Sequence, residues 1–258
     1  MKILVCLKQV IDRQTVIKID ESGRWVRAEG PARYWLNHYD EFAVEEAVRI
    51  KEAVPGARVE ALTVGPERAA VVLERAVGMG ADQGIHLTAE DEGYVSPLAT
   101  ASLIAAYVRN HPYDLILTGV MSEDQGHGQV GPLLAEMLAL AWTTAVILTE
   151  VRPESSTVYV EREIEGGDRE ALELAWPALL AVQSGLNKPR YPSLSNLLRA
   201  KKREFETVSA GSLGPPAGRE EILGLGYPQK SRNGLILEGT PRNKAVRLIE
   251  ILRGKSLW

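Results

Sequence analysis

Groups that could do chemistry are few in this 258-residue sequence, and they gather on glycine-rich stretches rather than in catalytic sets. Residues 118–132, TGVMSEDQGHGQVGP, carry Gly119, Asp124, Gly126, Gly128, Gln129, Val130 and Gly131 just ahead of a helical run. Glycine lets a backbone approach a phosphate closely, and a helix start offers N–H groups without internal partners. Residues 126–131, GHGQVG, satisfy GxGxxG, with Glu150 roughly 20 residues on, where the ribose-binding acid of a dinucleotide fold falls. Yet the match follows the fourth strand-like run instead of the first, and Gly126 lies seven positions after Gly119, so the tight strand-to-helix turn is missing. The pattern alone therefore leaves a phosphate loop and a plain surface loop both open.

Other chemistries find less support. No GxxxxGK[ST] loop is present, and no GxSxG elbow supplies a nucleophile. Asp12, Asp124 and Glu165 sit in candidate loops without the context of an acid/base pair, so no side-chain catalysis is expected. Histidines 38, 86, 111 and 127 lack HExxH or HxxxH spacing, which argues against a metal site. His86 lies in an apolar run and reads as core, while His127 lies inside the candidate phosphate loop. Cys6 is the only cysteine, so neither an intrachain disulfide nor a CxxC pair can form.

The elements that must position these residues read as α/β. Short apolar runs recur at 3–7, 59–64, 84–87, 114–119 and 144–149, as strands buried on both faces of a sheet do. Between them, residues 40–54 repeat Ala43, Ala47, Ile50 and Val54 at helical spacing and leave Glu45, Glu46 and Lys51 on other faces. Further helices begin at Pro66 and at Ser96-Pro97, with proline in the first turn, and a fourth follows Pro132. Alternation over 1–150 predicts a doubly wound, mainly parallel, Rossmann-like sheet. The runs STVYVERE, EALELAW and ALLAVQS at 151–184 read as an added antiparallel ribbon. Residues 209–218, SAGSLGPPAG, read as a linker, and residues 240–252 as a short terminal helix with Ala245, Leu248, Ile249 and Leu252 on one face. In such a sheet ligands bind beyond the carboxyl ends of the strands, here LKQVID at 7–12, TVGP at 63–66 and the 118–132 loop.

Composition narrows the classes further. With 45% apolar and 25% charged residues the chain is an ordinary folded protein. A net charge of -4 gives no field for nucleic acid or anionic lipid, and the cluster Arg199, Lys201, Lys202 and Arg203 reads as a solvated helix face. The N-terminal apolar run is far shorter than the ~18 residues a membrane span requires, so no direct membrane insertion and a cytoplasmic location are expected.

Several long motifs in order resemble the electron transfer flavoprotein beta subunit family. Residues 160–182, VEREIEGGDREALELAWPALLAV, resemble its signature segment, with Arg162, Glu165, Gly166, Gly167, Glu170, Leu172 and Pro177 in place. Residues 186–202, LNKPRYPSLSNLLRAKK, are similar to its recognition loop and the helix after it. The likeness extends to LKQVID, to the Asn37–Ala47 stretch, to AVGMGADQGIHL at 76–87 and to the C-terminal arm.

This resemblance implies a heterodimer with an alpha subunit that carries most of an FAD site, serving acyl-CoA or other flavin dehydrogenases. It implies a nucleotide-binding domain over 1–205 and a linker and arm over 206–258 that wraps the alpha subunit. A second nucleotide is implied within this chain near Cys6, Leu7, Asn37, Thr63, Val64, Gly119, Asp124 and the Gly128–Gly131 loop. It is AMP in most members and a second FAD, taking hydride from NADH, in electron-bifurcating ones. The QVGP step at Gln129 to Pro132 is similar to bifurcating members, whereas Gln125, Gly126 and His127 replace the acid and threonine that usually precede it. Partner docking is implied for the 186–198 loop through Pro189, Arg190, Tyr191 and Leu194, and Arg13 is implied to lie towards the alpha-subunit flavin. A stand-alone adenine-nucleotide sensor would share the sheet and the glycine loop but not the PRYPSL loop or the arm.

Overall fold

Apolar runs bounded by glycine and proline become strands of one nine-stranded sheet, and the amphipathic runs between them cover its faces. The structure, a computed structural model, describes residues 1–89, 93–214, 220–228 and 234–256. After β1 (Lys2–Leu7) comes an excursion of four short strands, β2 (Gln9–Ile11), β3 (Ile17–Ile19), β4 (Val26–Ala28) and β5 (Tyr34–Leu36). The alternating part follows as α1 (His38–Ala53), β6 (Arg58–Gly65), α2 (Ala70–Met79), β7 (Gln83–Thr88), α3 (Pro97–Val108), β8 (Leu115–Gly119) and α4 (Val130–Leu138). Then come β9 (Ala141–Arg152), β10 (Thr157–Glu163), β11 (Arg169–Ala175), β12 (Ala178–Val182), α5 (Leu194–Ala200), β13 (Glu206–Ser209) and α6 (Pro241–Gly254).

The sheet order is β11-β10-β9-β12-β8-β1-β6-β7-β13, all parallel from β9 to β13, with β10 and β11 antiparallel at one edge. Alternation within each strand feeds two cores. Ile3, Val5, Leu115, Leu117 and Leu180 pack beneath α1 and α2, while Leu4, Cys6, Leu62, Ile116 and Leu179 pack beneath α3 and α4. Ser96 caps α3 by accepting a hydrogen bond from the Ala99 N–H at 3.1 Å, with Pro97 in the first turn as its sequence predicts.

The glycines of AVGMGADQGIHL serve packing and a cap. Gly80 ends α2 at φ 134, and a side chain at Gly84 would collide with the Phe205 ring at 2.6 Å. At Gly78 a Cβ would stand 3.0 Å from Leu197 and 3.2 Å from Pro192, so this glycine lets the 186–198 segment settle onto α2.

Four features depart from the expectations. Residues 178–182, read as part of the ribbon, leave it and insert between β8 and β9, parallel to both and buried throughout, so the ribbon proper is β10 and β11. An apolar run of this length looks the same in either setting, because periodicity does not report strand direction. The fourth helix starts at Val130, two residues before Pro132. Residues 206–209, placed beyond the expected boundary at 205, pair with β7 as the ninth strand. Glu45 and Glu46 are buried, although the spacing of α1 sets them off its apolar stripe.

The contacts divide the chain into Met1–Gly224, which holds the sheet, and Leu225–Trp258, which holds α6. Residues 215–218 of the Gly/Pro/Ser-rich stretch lie outside the described residues. Thr240 caps α6, none of whose residues is buried.

Candidate functional site

The winding order reverses between β1 and β8: from β1 the chain steps to β6 and then β7 on one side, and it returns to place β8 and β12 on the other, with all five strands parallel. At that point the strands part. β1 pairs with β8 only as far as Val5 and Leu117, whereas it follows β6 to Leu7 opposite Thr63, and β8 follows β12 to Gly119 opposite Val182. Cys6, Leu7, Thr118 and Gly119 thus border a crevice beyond the carboxyl ends of the strands, where open α/β sheets bind ligands.

The first turn of α1 closes one side of this crevice. Asp40 is buried and accepts the Lys8 N–H at 2.7 Å on one oxygen, with the Gly119 N–H at 3.1 Å and the Asn37 Nδ2 at 2.9 Å on the other. Its carboxylate does across the parted strands what a ladder hydrogen bond does where they touch. Gly119 must lack a side chain for this, since a Cβ there would press on Asp40 Oδ1 and stand 2.7 Å from Tyr39 Cβ.

From the same turn Asn37 holds the following loop, donating to Met121 O at 2.9 Å and accepting the Glu123 N–H at 3.1 Å. Lys8 Nζ adds bonds to Ser122 Oγ at 3.2 Å, Asp124 Oδ1 at 2.8 Å and Gln125 Oε1 at 3.0 Å, and Arg13 pairs with Glu123. Asn37 and Asp124, both expected at the nucleotide, therefore spend these side-chain atoms on shaping the loop. Thr63 is likewise buried and donates to Leu7 O at 3.0 Å, while Val64 lies on the α3 side of β6.

The loop then turns through Gly126 at φ 66 and Gly128 at φ 62 and enters α4, with Gln129 before its first residue, Val130. A first helical turn has N–H groups without internal partners, and here it faces the end of β8. Gly131 rests on the sheet: a Cβ there would stand 3.0 Å from Thr118 Oγ1 and 3.5 Å from Leu179. Its glycine is thus required by helix-on-sheet packing as well as by any close ligand approach. Thr118 Oγ1 is buried and has no hydrogen-bond partner among the described residues. His127 meets Tyr94 edge-on at 6.2 Å, and His86 is buried with Nε2 3.0 Å from Gly65 O. Burial pushes the Cys6 thiol up, so at neutral pH it is a packed thiol and not a thiolate nucleophile.

The 186–198 loop lies on the outer side of α1. Asn187 donates to Phe42 O at 3.0 Å and to Glu46 at 2.9 Å, and the Arg190 guanidinium reaches Glu45 and Glu52. Ser193 caps α5 by accepting from the Asn196 N–H. Tyr191 is 88% exposed and Leu194 73% exposed. The sequence thus locates the crevice and the loop, but it misses the residues that hold them: Asp40, Lys8, Glu45 and Glu46. One signal was present, because Asn37 and Asp40 stand three apart at a helix start and so share a face.

Burial pushes the Asp40 carboxyl from 3.8 up to about 7, against the hydrogen bonds from Asn37, Lys8 and Gly119. A group whose folded pKa exceeds its unfolded one contributes stability below the unfolded value and loses it as pH rises towards the folded value. The stability of wild type relative to Asp40→Asn is therefore expected to fall between pH 4 and 7, windows set by those two values, and to level off above them. Thermal midpoints of both proteins across this range check it; a constant difference would contradict the assignment.

Comparison with known proteins matches the description electron transfer flavoprotein domain over residues 24–213. A relative from Bacillus subtilis (strain 168), electron transfer flavoprotein subunit beta, is 33% identical over 99% of each chain. Relatives of the same name from Bos taurus and Sus scrofa are 32% and 36% identical, each over 98% of both chains. With this likeness running through the crevice, the ribbon and the 186–198 loop alike, the chain belongs to the electron transfer flavoprotein beta subunit family.

Proposed function

We infer that the chain is the small subunit of a heterodimeric electron transfer flavoprotein, carrying electrons between flavin dehydrogenases and a downstream acceptor. An alpha subunit holds most of the FAD, and the β1/β8 crevice of this chain holds an adenine nucleotide, AMP or a second FAD. The observation that carries the nucleotide assignment is the crevice itself: parted strand ends, a braced loop with two left-handed glycines, and a helix start directed at it. The buried, unpartnered Thr118 hydroxyl fits a polar group bound above it. FAD, when bound, supplies the one- and two-electron chemistry; this chain's residues hold, orient and shield it.

The electron-bifurcating alternative, a subunit that oxidises NADH through a second FAD, draws on one residue. Val130 occupies the first position of α4 and has no hydroxyl to donate to a terminal phosphate. A stand-alone adenine-nucleotide sensor fits less well, because it has no use for an amphipathic C-terminal helix with no buried residue. The test is to purify the heterodimer, denature it and identify what is released. FAD with AMP supports the carrier, two FAD support the bifurcating subunit, and a heterodimer releasing a single nucleotide would remove the crevice from the account.

A further inference from the structure

Arg190 stands in the loop read above as the surface that docks partner dehydrogenases, yet its hydrogen bonds turn inward. Its backbone N–H and Nε both reach Glu45 Oε2 at 2.9 Å, and Nη2 reaches Glu45 Oε1 at 3.0 Å. On the other edge of the guanidinium, Nη1 and Nη2 reach the Glu52 carboxylate at 2.6 and 3.0 Å. A planar fork gripping two carboxylates is a geometry only arginine provides. Glu45 is nearly fully buried, with a side chain 6% exposed, whereas Glu52 is 57% exposed.

Glutamate is almost never buried without a specific partner, and here two in succession are buried on α1. Glu46 binds Asn187 at the start of the loop, Thr149 on β9 and Arg49. The loop's other flank is held differently, by Pro192 and Leu197 resting on Gly78 of α2. Between the two anchors stands Tyr191, its ring under the Arg75 guanidinium at 5.3 Å, and beyond it the exposed Leu194 and Leu198. These exposed side chains are the ones free to enter a partner's apolar pocket.

We propose that Arg190 is not a partner contact but the positioning residue of the docking loop, and that the buried Glu45 is the anchor that holds it in docking geometry. The proposal rests on the reading of 186–198 as a docking surface and deepens it. Its physical content is preorganisation: a segment already fixed in its bound shape loses less entropy on association than a loose one. Pro189 and Pro192 restrict the backbone on either side, and the Arg190–Glu45 contact fixes the residue between them to α1.

The experiment uses the complete heterodimer with an acyl-CoA dehydrogenase, reduced by its acyl-CoA substrate, as donor. Glu45→Gln keeps the shape of the side chain but removes its charge and one acceptor, and Arg190→Lys keeps a charge but loses the fork. Both are expected to speed amide exchange over 187–193 and to raise the KM for the heterodimer about tenfold, as loosening a preorganised segment does, with kcat within about twofold and flavin content unchanged. Glu52→Gln, on the exposed side, is expected to change KM by less than about twofold.

Leu194→Ala, measured in parallel, separates this proposal from the reading beneath it. If Leu194→Ala weakens docking while Glu45→Gln leaves KM at the wild-type value, the docking surface stands and the positioning role is overturned. If Glu45→Gln loosens the loop without moving KM, Glu45 is a structural brace alone and the proposal also fails. If Leu194→Ala itself has no effect, the docking reading fails, and the proposal falls with it.

Discussion

Gly119→Ala is expected to lower the thermal midpoint of the heterodimer by roughly 6–12 °C, the consequence of losing about 3 kcal/mol, and to release the adenine nucleotide proposed for the β1/β8 crevice. The added methyl would press on Asp40 Oδ1, stand 2.7 Å from Tyr39 Cβ and stand 3.0 Å from the Tyr39 backbone carbon. None of these is the free end of a flexible side chain. Tyr39 and Asp40 belong to the first turn of α1, and Asp40 is committed to Lys8, Gly119 and Asn37 at once. Relief therefore requires the helix start to move, and a move large enough to admit the methyl breaks hydrogen bonds of a buried carboxylate. Gly226→Ala is the control, since a Cβ there meets nothing within 4 Å and should shift stability by no more than about 0.5 kcal/mol. Scanning calorimetry and released-nucleotide assay of both variants check the pair; a Gly119→Ala protein with wild-type midpoint and nucleotide content would show that the crevice is not closed by α1.

Leu194→Ala is expected to weaken docking to a donor dehydrogenase about thirtyfold, the loss of roughly 2 kcal/mol that truncating a buried interface anchor brings. In this chain the side chain is 73% exposed, so only a partner could bury it, and folding stability should change by no more than about 0.5 kcal/mol. The residue is the first of α5, capped by Ser193, where alanine is well accommodated. Electron transfer from the dehydrogenase at sub-saturating carrier, compared at matched flavin, is the measurement. Equal rates for wild type and variant would return Leu194 to simple loop packing.

Much of the crevice could be read before the structure because its marks are local. Glycines at 126 and 128 do adopt the left-handed turns their type favours, and Ser96-Pro97 does start a helix. The rest of the site is non-local. Asp40 looks like any acidic residue in a first helical turn, and its role emerges only when Lys8 and Gly119, 32 and 79 residues away, are brought to it. Glu45 and Glu46 look solvated because their partners Arg190 and Asn187 lie 145 and 141 residues on. The placement of residues 178–182 was missed for a related reason: pattern reports burial, and only pairing reports direction.

The measurement that tests the central reading most directly is to mix this chain, alone and as the heterodimer with its alpha subunit, with a reduced acyl-CoA dehydrogenase and follow flavin absorbance. The electron-carrier reading, which assigns most of the FAD site to the alpha subunit, predicts that the heterodimer is yellow and is reduced by the dehydrogenase, while the chain alone is nearly colourless. A chain that, by itself, retains stoichiometric FAD and reduces it with NADH unaided would contradict the subunit reading.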